Sequence, residues 1–192
     1  MGGAPSRARE IDPAVETGIM HTYFLLHRYE DALAASEGLK ADVVPASLVE
    51  LGRADEARAL IAELEARSGN RVPGLANAVR AFIDGRHDEG VCALIAQTRT
   101  MAVPDPEMLF YAGRHLARVG EADEAMPLIR RAFEGGYFCY PVFAEDPWLE
   151  SLRAQPAFQE VLKAVRLQSE RAADIFVEAG GVHLLGLDSR AR

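Results

Sequence analysis

The residues able to do chemistry are few and scattered. Five histidines (His21, His27, His87, His115 and His183) and two cysteines (Cys92 and Cys139) are present. No His-Glu-x-x-His pair offers zinc ligands with a base between them, and no Gly-x-Ser-x-Gly elbow presents a nucleophile. Neither Gly-x-x-x-x-Gly-Lys nor Gly-x-Gly-x-x-Gly supplies a phosphate cradle. The cysteines stand 47 positions apart, so a disulfide framework or thiolate metal site is not expected. Cys139 with a distant histidine would make a nucleophile pair; the expected role is instead a buried structural thiol. Arg114 and Arg118 are four residues apart and share a helix face. They can grip a carboxylate or an acidic segment of a partner, or else pair with nearby glutamates. No catalytic residue, no cofactor and no metal is expected.

Composition narrows the partners. The 192 residues carry 21 basic and 29 acidic side chains, a formal net charge of −8, which argues against nucleic acid because phosphate binding needs a basic face. No apolar run approaches the roughly 18 residues of a membrane span, and no basic-then-apolar signal opens the chain. The expectation is a cytoplasmic chain with no membrane partner. Only Lys40 and Lys163 are lysines, so the cations are overwhelmingly arginine, a coding bias and not a chemical signature.

What must position these residues is a repeat. Gly52-Arg53-Ala54-Asp55-Glu56-Ala57, Gly85-Arg86-His87-Asp88-Glu89-Gly90 and Gly120-Glu121-Ala122-Asp123-Glu124-Ala125 share the pattern Gly-x-x-Asp-Glu-small, with the glycines 33 and 35 residues apart. A weaker copy, His27-Arg28-Tyr29-Glu30-Asp31-Ala32, precedes them. Glycine tolerates positive φ and can end one helix. The acidic pair falls in the first turn of the next helix, against its positive end. The small residue lets that helix approach its neighbour. Apolar residues recur at helical spacing on both sides of each turn, as in Leu75, Val79, Phe82 and Ile83 before Gly85 and Leu94 and Ile95 after it. No clear strand run is found. The spacing predicts antiparallel helix pairs at about 13–37, 38–70, 71–105 and 106–137, after a disordered tail at 1–10.

Such a period and turn resemble the tetratricopeptide repeat. The small residue that opens the second helix of that family matches Ala32, Ala57, Gly90 and Ala125, and the fourth copy also matches at Leu109, Gly113, Leu116, Gly120, Ile129 and Ala132. The family's aromatic positions in the first helix are mostly lost, and its closing proline is replaced by Gly69, Ala102 and Tyr137. The resemblance implies an all-α fold, a right-handed α-α superhelix of about four pairs over residues 11–137. It also implies a concave face for extended peptides, lined by Thr17, His21, Phe24, Asp42, Val49, Leu75, Val79, Phe82, Phe110, Arg114 and Arg118. The family's Lys/Asn clamp for a terminal carboxylate is not matched.

From Tyr137 the period breaks. Pro147 and Pro156 can each open a helix, with Asp146 capping the first. A long helix is predicted to about Glu178 with Phe158, Val161, Leu162, Val165, Ile175 and Phe176 on one stripe, capping the stack over 138–180. Trp148 is expected to anchor this segment, and the aromatic run Tyr137-Phe138-Cys139-Tyr140 to plug the array's end. The apolar tail within 181–192 either packs back or meets another chain; packing back is preferred. The closing segment resembles the end of bacterial multidomain regulatory proteins that carry tetratricopeptide repeats. The expected function is non-catalytic binding of a protein segment, one with acidic character, through Leu75, Val79, Phe82, Phe110, Arg114 and Arg118. The alternatives are a regulatory domain of a signalling or transcription system, or an enzyme whose pocket joins His115, Cys139 or Glu145.

Overall fold

The structure, a computed structural model, describes residues 18–36, 43–67, 74–100 and 105–184. The expectations for residues 1–10, Thr17, Asp42, Gly69, Ala102 and the tail beyond Leu184 lie outside them. Among the described residues every regular element is a helix. The chain divides into two compact units, Met1–Thr100 and Met101–Arg192.

The first unit holds α1 (Ile19–Leu25), α2 (Tyr29–Ser36), α3 (Val43–Glu50), α4 (Ala54–Arg67), α5 (Gly74–Ile83) and α6 (His87–Thr100). They pack as consecutive pairs, α1 with α2, α3 with α4 and α5 with α6, and α3 also touches α2 and α5. The second unit opens with the pair α7 (Pro106–Arg118) and α8 (Ala122–Glu134). It continues with α9 (Tyr140–Glu145), a 3-10 turn (Pro147–Leu149), α10 (Glu150–Arg153), α11 (Pro156–Glu178) and α12 (Gly181–Leu184).

One backbone solution closes every pair. Gly52, Gly85 and Gly120 have φ of +74°, +73° and +93°, and His27 occupies the same place at +56°. The next residue's N–H reaches back five positions in each case: Arg28 to Tyr23, Arg53 to Leu48, Arg86 to Ala81 and Glu121 to Leu116, at 2.8–2.9 Å. This is the Schellman arrangement, which satisfies helix-end carbonyls while reversing the chain. Three of those residues are arginines whose side chains then hold an acid three positions on: Arg28 to Asp31, Arg53 to Glu56 and Arg86 to Glu89. The acid pairs lie in the first turns of α2, α4, α6 and α8 as expected.

The small residues do what their spacing implies. Ala32, Ala57 and Ala125 are buried, and at Gly90 a methyl group would lie 2.4 Å from the Phe82 ring. Consecutive pairs in the first unit are also bridged by polar contacts. Arg58 of α4 donates to Asp84 at 2.9 Å and to the Ile83 carbonyl at 3.1 Å, and Arg80 of α5 pairs with Glu65. Exposed pairs of this kind contribute at most about 1 kcal/mol each.

At Gly52, Gly85 and Gly120 an added Cβ meets nothing within 4 Å, so an alanine there suffers from backbone conformation alone. Each single alanine variant is expected to lose about 1–2 kcal/mol of stability, read from urea unfolding curves. Gly85→Asn should lose less, because asparagine tolerates the left-handed region.

Candidate functional site

The predicted groove residues divide by unit. Leu75, Val79 and Phe82 lie on α5, and Phe110, Arg114 and Arg118 on α7. Leu75, Val79 and Phe110 are buried, as is Phe24, whereas Phe82 is half-buried over Gly90, and His21 and Val49 are half-buried. These four buried side chains spend their apolar surface inside the fold and not on an open groove, which departs from the sequence expectation for them.

Arg114 is the larger correction. It is 0% exposed. Its Nε donates to Asp146 Oδ2, and its guanidinium lies over the Trp148 ring, 3.7 Å from the centroid. Asp146 also accepts the Trp148 N–H at 2.9 Å through Oδ1, so one carboxylate both caps the 3-10 turn and neutralises Arg114. Arg118 is exposed, its guanidinium 4.5 Å from the same ring. The two arginines share a face as predicted, but Trp148 and Asp146 occupy it. Ser151 donates to the Ala117 carbonyl at 2.9 Å, and Arg153 holds the carbonyls of Ala144 and Asp146, so the whole stretch from 144 to 153 is fastened beside α7. Phe110 packs on Tyr137 and Phe143 with ring centroids 4.8 and 4.9 Å away. Tyr137 is half-buried between Phe110 and Phe143, and Cys139 of the same aromatic run is exposed.

His115 is buried beside Trp148, ring centroids 5.0 Å apart and near perpendicular. Its Nδ1 lies 2.8 Å from the Tyr111 carbonyl. A carbonyl only accepts, so Nδ1 carries the proton. Burial first, then the Arg114 charge, pushes the imidazole down to about 3. Burial likewise raises the Tyr111 and Tyr137 phenols, which therefore stay protonated. Cys139 is exposed, as is Cys92, against the expectation of a buried thiol. Glu145 also faces solvent, whereas His115 is buried. No group of three or more metal-ligating side chains is found among the described residues.

The exposed surface that the sequence did not single out is on α11. Its first half follows the predicted stripe, with Phe158, Val161 and Val165 buried and Leu162 half-buried. Beyond Val165 most side chains of the helix are exposed. Leu167, Ile175, Phe176 and Val177 are 69%, 55%, 38% and 45% exposed, so the predicted stripe is buried only in its first half. Leu167 and Ile175 join Phe133, Phe138 and Ala164 around an open groove of about 570 Å³, whose polar members are Gln168 and Arg171. Periodicity marks Ile175 as apolar-facing but does not show how much of it is exposed.

Among the described residues no helix is long and apolar enough to cross a membrane. No family model matches the chain, and comparison with curated proteins and with solved structures finds no match.

Removing Arg114 alone leaves Asp146 buried without its cation. Arg114→Ala is expected to lose about 3–5 kcal/mol of stability, followed through Trp148, the only tryptophan. Arg114→Met combined with Asp146→Asn keeps the cap acceptor and removes both charges; it should be less destabilised than Arg114→Ala. His115 gives a pH signature. An unfolded chain takes up this proton near pH 6.5, the folded one only near 3. The contribution is therefore complete above about pH 6.5 and falls by about 1.4 kcal/mol per pH unit as the pH drops through that window. Urea midpoints between pH 7 and 4.5 should show this slope, and His115→Gln should flatten it.

Proposed function

We propose that the chain is a non-catalytic protein–protein interaction module, built as a tetratricopeptide-like right-handed array of four helix pairs closed by α11. The recurring left-handed turn and the buried small residue opening each second helix support that architecture. The binding surface in this reading is the α11 groove and not the face of α5 and α7. The carrying observation is that exposed Leu167 and Ile175 of α11 stand beside half-buried Phe133 and Phe138 around one open groove. Such surface is unfavourable in water unless a partner covers it.

The lining also narrows the partner. Arg171 is its single charged member and Gln168 its single amide. A segment carrying two or so apolar side chains and a nearby carboxylate complements that set, which keeps the acidic character expected from sequence while moving the cation from Arg114 to Arg171. Net charge of −8 disfavours nucleic acid in the same place.

Leu167→Asp with Ile175→Asp is the discriminating variant, because both side chains are solvent-exposed and neither supports the core. Helicity by circular dichroism should match the parent chain. Each buried aliphatic contact is worth about 1.5–3 kcal/mol, so affinity for a captured partner is expected to fall at least about tenfold. Equal retention by both chains in parallel affinity capture would remove the groove as the site.

A further inference from the structure

We propose that a pocket between α5 and α6 binds a small organic monocarboxylate on the guanidinium of Arg80. The pocket, about 210 Å³, is lined by Asn77, Arg80 and Ala81 of α5, by Arg86 in the turn, and by Glu89 and Ala93 of α6. It lies within the first unit and shares no residue with the α11 groove. It is smaller than the roughly 300–1,000 Å³ that holds a drug-sized ligand. Its lining sets two cations against one anion, with two alanine methyls beside them.

Arg80 is only partly used. Its Nη1 holds Glu65 of α4. Its Nη2 lies 3.3 Å from Oδ1 of Asn77, a neutral acceptor at long range. Its Nε is buried and has no acceptor among the described residues. Nε and Nη2 form one edge of the planar fork. In Arg53 the same two atoms grip both oxygens of Glu56, each at 2.7 Å. At Arg80 the edge that takes a carboxylate with two parallel bonds meets only an amide oxygen. A buried donor without an acceptor is unfavourable, and a ligand oxygen removes that penalty on binding.

The bond to Glu65 does not exhaust the cation. Arg58 of α4 takes Asp84 on Nε at 2.9 Å and Asp55 on Nη1 at 2.8 Å. One guanidinium in this fold therefore holds two carboxylates on separate donors. At Arg80 Glu65 takes one side and the ligand the other, turning the Asn77 side chain off the covered Nε. Arg86 adds positive charge to the lining while holding Asp84 and Glu89. Glu89 limits the ligand to one negative charge, because a dianion such as phosphate would face its carboxylate. Ala81 and Ala93 suit a short apolar body on the acid.

Nuclear magnetic resonance of the full chain tests this with sodium propionate, against sodium chloride at equal ionic strength. The Arg80 Nε–H signal and the Ala81 and Ala93 amides should shift and saturate with propionate and not with chloride. Asn77→Asp puts a carboxylate of the chain's own three residues before Arg80. It should keep the parent's helicity and weaken propionate at least about tenfold. Arg80→Lys keeps the charge without the fork and should weaken it as much; if that variant does not fold, Asn77→Asp decides. No saturable shift in the parent chain overturns the proposal. Saturable shifts that a folded variant keeps unchanged overturn it too, since the acid then binds elsewhere. Inorganic phosphate that matches propionate at the same signals overturns the assignment to a monocarboxylate.

Discussion

A backbone torsion that most residues avoid sets the geometry of every helix pair. The left-handed residue at position 27, 52, 85 or 120 turns the chain, and the N–H that follows it seals the preceding helix end. Everything packed between the two helices of a pair presupposes that turn. The buried Ala32, Ala57 and Ala125 sit opposite the first helix because the second begins at a fixed offset from the reversal. Gly90 meets Phe82 for the same reason. Helices this short are marginal alone; the turn makes their apolar faces meet at little entropic expense, because the contacts are local in sequence.

The second unit adds a longer-range constraint. Arg114 is drawn inside by a carboxylate 32 residues away and an indole face beside it. A buried charge of this kind is tolerated only when its partner is present and well placed. The pair therefore specifies where the stretch from Asp146 to Trp148 must lie more than it adds net stability. Ser151 and Arg153 complete the fastening through carbonyls. The same enclosure keeps His115 neutral and the nearby phenols protonated, so titratable groups cluster here as part of the interior.

The repeat was legible because its signal is local. Glycine at 52, 85 and 120, the acid pair three residues on and the small residue after it each act within a few positions, and periodicity located the helices on either side. The capping role of Asp146 and the anchoring of Trp148 were legible for the same reason. Arg114 was not. Helical spacing correctly put it on a face with Arg118, but what covers that face depends on a carboxylate far along the chain. Phe110, Leu75 and Val79 illustrate the same limit: periodicity separates apolar from polar faces but cannot say whether an apolar one is filled. At Ile175 the ambiguity ran the other way, with an apolar position assigned to packing and left in water. Cys139 shows it in miniature, an apolar-flanked thiol that emerges at a helix start.

Arg28, Arg53 and Arg86 each serve two helices at once. The backbone N–H finishes the helix behind, while the guanidinium grips a carboxylate in the first turn of the helix ahead. Fraying at one helix end therefore loosens the start of the next. Each hairpin in the first unit should then exchange its amide hydrogens as a single cooperative block rather than helix by helix, with the joint between its halves as well protected as their middles.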